Sequence, residues 1–121
     1  MRSPTRHARS VERDVDGIER LLCRLSLHDE RSVRAALADP GLTGLDPKTQ
    51  ALVGLGAVLS VNAATVSVRV MVELADRAGA TEDEVVGVLL AIAPAIGYAR
   101  TVAVAPRLAL ALGYDVEDSA L

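Results

Sequence analysis

The chain has 121 residues and a formal net charge of −3; half its residues are hydrophobic, with two Tyr, one Cys and neither Phe nor Trp. That length bounds it to one domain with a modest core. The charge excludes general nucleic-acid binding, the missing aromatic platforms exclude single-strand stacking, and the lone Cys23 excludes an internal disulfide and suits a reducing cytoplasm.

Residues 1–13 carry Arg2, Arg6, Arg9 and Arg13 against Glu12 and read as a solvated basic arm, the alternative being an electrostatic tether to an anionic partner. No apolar run follows them, so no secretory signal is expected and a cytoplasmic location is. A first helix is predicted from Asp14 to Leu25, with Ile18, Leu21, Leu22 and Leu25 on one face. Cys23 lies in its last turns and reads as a structural cysteine, Arg20 and Arg24 being its only local activating groups. A second helix is predicted from Asp29 to Ala38, stopped by Asp39-Pro40-Gly41. His28 falls in the joint and His7 in the arm; two separated histidines make no metal site, and no cofactor is expected.

Asp46-Pro47 is an N-cap followed by Pro at the first helical position. The helix it opens reads ALVGLGAVLSV, apolar all round and expected to be buried all round, with Gly54 and Gly56 marking close backbone approach of a neighbour. The next helix is predicted from Asn62 to Ala78. Its polar stripe holds Asn62, Thr65, Arg69, Glu73, Asp76 and Arg77, with Arg69–Glu73 and Glu73–Arg77 pairs at i, i+4; Ala64, Ser67 and Met71 lie opposite. Gly79 ends it, and Thr81 with Glu84 forms a capping box for a helix over Glu82 to Ala93.

Pro94 is expected to interrupt that helix, and a last helix should run to Leu112, kinked near Pro106 and capped by Gly113. The uncharged run Val85 to Ala99 falls short of the roughly 20 residues a membrane span needs and reads as a buried helix pair, so no membrane is expected as a partner. The pattern as a whole predicts an all-α, compact bundle of five or six helices. One helical domain spans 14–114, followed by an acidic tail, 115–121, with Asp115, Glu117 and Asp118. So apolar a chain is expected to bury surface against copies of itself.

Three stretches, LDPKTQALVGLGAVLS, VELADRAGATEDEVVGVLLAIAPAIG and ARTVAVAPRLALALG, resemble the carboxymuconolactone decarboxylase and alkylhydroperoxidase D-type superfamily. The most specific segment is A-x-x-A-G-A-T-x-x-E, Ala75 to Glu84, and the likeness covers more than half of the chain. It implies a compact oligomeric helical subunit, a dimer, trimer or hexamer with helices shared across interfaces. Peroxidase members of that superfamily carry C-x-x-C-x-x-x-H ahead of the Gly-x-Thr turn, two thiols one turn apart with a His one turn later. Counted back from Gly79, the motif positions fall on Ala64, Ser67 and Met71, and the upstream acid near Gln50 to Leu52, where no carboxylate stands. The resemblance therefore implies the fold without the dithiol cycle, on a site whose functional groups are gone.

The same helix face is expected to line a small interhelical pocket through Thr65, Val68 and Met71. Ser67 as a nucleophile lacks a local base, and a bond to its own helix backbone is the plainer reading. Arg100, with Tyr98 nearby, is a candidate carboxylate ligand; the plainer reading pairs it with Glu73, Asp76 or Glu84. Two functions follow. One is a bacterial family member, degenerate at the redox site, that binds a small organic acid or apolar metabolite and converts it, if at all, by cofactor-free lyase- or isomerase-like chemistry. The other is a non-catalytic interaction subunit assembling with itself or a paralogue; a peroxidase working through Cys23 alone is a distant third.

Overall fold

The computed structural model describes residues 17–115, so the basic arm and the tail beyond Asp115 lie outside the described residues. Among these are six α-helices and no strand: α1 (17–26), α2 (Glu30–Ala38), α3 (Pro47–Ser60), α4 (Thr65–Arg77), α5 (Glu82–Ile96) and α6 (Tyr98–Ala111). A short 3-10 turn, Pro40–Thr43, follows α2. The chain divides into two compact units, Met1–Gly44 and Leu45–Leu121.

In the first unit α1 ends on His28 at φ 59°, with the Asp29 and His28 N–H groups donating back to the Arg24 and Leu25 carbonyls. That pattern closes a helix through one left-handed residue. Asp29 then caps α2, its Oδ2 accepting from the Ser32 N–H (3.2 Å) and hydroxyl (2.5 Å). The apolar stripe expected on α1 is not covered within this unit, since Ile18 and Leu22 stand exposed.

In the second unit α3 and α6 each pack on both α4 and α5, so the four helices form a ring. Leu55, Leu59, Val68 and Val104 are the largest fully buried side chains, with Ala51, Val72, Ala75, Ala80, Val85, Leu89 and Leu108 completing the core. Each such Leu or Val contributes about 1.5–3 kcal/mol by leaving water. With no Phe or Trp to fill space, the ring closes on Ala, Val and Leu side chains.

The structure departs from the expected pattern at several points. The α4 helix starts at Thr65, not Asn62, because Asn62 belongs to the end of α3. It sits at φ 55°, its N–H donating to the Leu59 carbonyl (3.2 Å) and the Ala63 N–H to that of Val58 (3.0 Å). Pro94 does not interrupt α5, which continues to Ile96, while α6 runs through Pro106 as expected. Both prolines face outward, as do Leu90 and Val102, whose carbonyls each missing amide would have met. The break comes instead at Gly97, whose φ of 89° a side chain would strain.

Nor is α3 buried all round. Val53 is 59% exposed, and in the run expected to be a buried pair Leu90 is 67% exposed, because a helix in a four-membered ring covers only its inner face. The glycines of α3 admit side chains rather than backbone. A Cβ on Gly54 would lie 2.4 Å from the Met71 Cε, and one on Gly56 would lie 3.4 Å from a Val88 methyl.

The Thr81–Glu84 capping box is present in both directions, and Glu84 also pairs with Lys48 on α3 (3.0 Å). The Arg69–Glu73 and Glu73–Arg77 pairs are not closed, whereas Arg34–Glu30 and Lys48–Glu84 are.

Two outcomes follow from this packing. Gly54→Ala should gain helix propensity of about 1 kcal/mol only in a Met71→Ala background; in the parent, urea denaturation should show little gain, because the thioether must first swing away. The Glu84 carboxyl is held below the ordinary glutamate range, first by the Thr81 N–H and then by Lys48. Its contribution is therefore complete above the ordinary glutamate value and lost as pH falls through the lowered one. Glu84→Gln should flatten the acid limb of a stability–pH profile measured by denaturant unfolding.

Candidate functional site

The residues singled out in the sequence gather around the joint between α3 and α4 and the start of α6. Ala64 is the N-cap of α4, and no side chain caps that helix. Thr65 and Ser67 follow in its first turn, both half-buried, and Ser67 Oγ has no hydrogen-bond partner among the described residues, neither base nor backbone carbonyl. Its neighbours in kind, Ser60 and Thr101, do bond back to their own helices, at 2.7 and 2.8 Å. Val68 points into the core at 1% exposure, and Met71 lies over Gly54. Val68 and Met71 thus serve the packing of α4 on its neighbours and do not line the groove that lies nearby.

That groove, of about 460 Å³, is lined by Ser60, Val61 and Asn62 from the end of α3 and by Ala99, Arg100 and Ala103 from α6. Arg100 makes no ion pair among the described residues. Of its expected partners, Glu84 binds Lys48, and Glu73 and Asp76 border a separate groove of about 300 Å³ over Val72 and Val85. Tyr98 is 85% exposed and is not among the lining residues.

Arg100 also stands in the first turn of α6, which begins at Tyr98 and has no side-chain cap. A cation there opposes the positive end of the helix dipole, an arrangement unfavourable by about 0.3–1 kcal/mol unless an anion is near.

One residue that sequence reasoning passed over completes the picture. Arg107 on α6 donates through Nη1 to the Asn62 carbonyl (2.9 Å) and to that of Ala63. The only signal for it was a lone arginine in an otherwise apolar stretch. Asn62 itself was legible as a left-handed cap, because it follows an apolar run, but its polar type placed it on the stripe of the next helix instead.

Cys23 lies in the first unit, exposed beside Glu19, Arg20 and Arg24, which corrects its reading as a buried structural thiol. No group of three or more His, Cys, Asp or Glu among the described residues could hold a metal. No helix among them is long and apolar enough to cross a membrane.

The sequence profile of the carboxymuconolactone decarboxylase family matches residues 31–109, about two thirds of the chain. The chain belongs to that family. The match begins before the stretches that carry the resemblance and takes in α2, while its end falls within α6. No curated protein matches the chain, and no solved structure does. In this carboxymuconolactone decarboxylase family member the groove, the α3–α4 joint and both arginines of α6 lie inside the matched region.

The position of Ala64 and Ser67 at the uncapped start of α4 has a chemical consequence. The Ser67 N–H donates to the Ala64 carbonyl (2.9 Å), and no side chain caps the first turn, so the positive end of the helix dipole is left to favour thiolate over thiol there. A chain carrying both Ala64→Cys and Ser67→Cys is expected to form an intramolecular disulfide on mild oxidation. Mass spectrometry after alkylation should show both new thiols protected and Cys23 still alkylated.

Proposed function

We propose that this carboxymuconolactone decarboxylase family member binds a small organic acid with an apolar body in the groove between the α3–α4 joint and α6, without a redox dithiol. The observation that carries the reading is Arg100. It is a guanidinium without a carboxylate partner among the described residues, placed against a helix dipole and beside a groove of about 460 Å³. A bound carboxylate would accept from it as a charge-assisted pair and relieve the unfavourable placement, while Val61, Ala99 and Ala103 offer apolar surface to the rest of the ligand. Any turnover is cofactor-free in this proposal, and Ser67, which has no base beside it, takes no part in it.

A second reading is favoured by the outer faces of the ring. Val66, Val70 and Leu74 stand exposed along α4, Leu90 on α5, and Val102 and Leu110 on α6. Such surface on a chain of this size is expected to be covered by further copies, giving a self-assembling subunit in the cytoplasm.

Titration of the purified chain with sodium hexanoate, followed by amide chemical shifts, separates the two readings. Shifts at residues 60–62 and 99–103 that hexanol does not reproduce, and that weaken at least about tenfold in Arg100→Ala, support the acid-binding role. Equal response to hexanoate in the parent and Arg100→Ala sinks it and leaves the assembly reading alone.

A further inference from the structure

We infer that Arg107 is the positioning residue of the Arg100 groove, holding the wall that faces Arg100 through the backbone of the α3–α4 joint. The inference rests on the acid-binding reading of that groove.

Asn62, Ala63 and Ala64 connect two helices without a side-chain cap for the second. The carbonyls of Val58 and Leu59 are satisfied by the turn itself, which leaves those of Asn62 and Ala63 pointing away from any amide of the turn. A single guanidinium takes both, from a residue 45 positions along the chain from the first of them. It is the only side chain hydrogen-bonded to the joint among the described residues.

Arg100 and Arg107 are seven apart on α6, two turns, so they project from one side of the helix. Arg107 grips the far end of the joint, and Arg100 lies across the groove from its near end, Ser60 to Asn62. Asn62 is common to both. Its carbonyl is held by Arg107, while the residue itself borders the groove in a left-handed conformation that most side chains avoid. The geometry of the groove wall therefore depends on a contact that no ligand in the groove would touch.

Without Arg107, two adjacent carbonyls turn to water and the Asn62 peptide is free to leave the left-handed region. The wall opposite Arg100 would then lose its fixed distance from the guanidinium. Bidentate capture of a carboxylate is sensitive to displacements of this kind.

The test uses the full chain and sodium hexanoate as the probe, with Arg107→Gln and Arg107→Lys beside the parent. Arg107→Gln is expected to weaken hexanoate about tenfold, a loss of the size that misplacement of a binding group produces. Arg107→Lys should recover part of it, and the loss should persist in about 1 M salt, where the Debye length of about 3 Å removes any through-space effect of the missing charge. The Asn62 and Ala63 amide shifts should move in both variants, with the circular dichroism spectrum unchanged.

Parent-like hexanoate affinity in a folded Arg107→Gln or Arg107→Lys chain overturns the inference and leaves the groove reading standing. A loss that disappears in high salt overturns it as well, since the residue would then act by its field alone. Absence of hexanoate binding in the parent withdraws the groove reading and this inference together.

Discussion

The second unit depends on how the chain reverses between α3 and α4. An apolar helix must stop, turn and restart within a few residues, and the sequence offers Asn62-Ala63-Ala64 for the purpose, with no oxygen to cap the new helix. Asn62 supplies the left-handed turn, and Arg107 supplies the donors that the turn's last carbonyls need. Everything downstream follows from this pin. It sets α4 beside α3, brings Met71 over Gly54, and leaves a groove whose opposite wall carries Arg100.

Around that joint the ring is built from Ala, Val and Leu, and small side chains let four short helices close without aromatic filler. The same composition has an outward effect. A helix that is apolar on every side, as α3 is, spends only part of its apolar surface on a single ring and leaves the remainder facing water. Family membership, a small core and exposed valines and leucines are thus expressions of one composition, in which little distinguishes inside from outside.

Much of the fold was legible because its signals are local. Asp46-Pro47, the Thr81–Glu84 box and Gly79 each act within one turn, through a carboxylate, a hydroxyl or a left-handed glycine, and each took the structure its residues prescribe. Asn62 carried two local meanings, cap and polar stripe, and only the backbone bonds to Val58 and Leu59 decide between them. Pro94 was misleading because a proline's effect depends on which way its helix faces. The candidate site was legible only in part. Arg100 drew notice as a charge among apolar residues, yet whether Glu73, Asp76 or Glu84 met it depended on tertiary placement, and it was Lys48 that claimed Glu84. Arg107 acts across 45 residues of chain, a distance at which no spacing rule speaks.

The two prolines have one more consequence. Each removes the amide that would have met a carbonyl four residues earlier, at Leu90 and at Val102, and both of those residues lie on outward faces. Amid a greasy exterior each of these carbonyls has therefore lost its usual helical donor. Any surface that comes to cover them must bring a donor to each or trap a water in between, because a buried carbonyl left alone is expensive. Grease alone would let a partner slide; two such oxygens would tell one docking alignment from its neighbours.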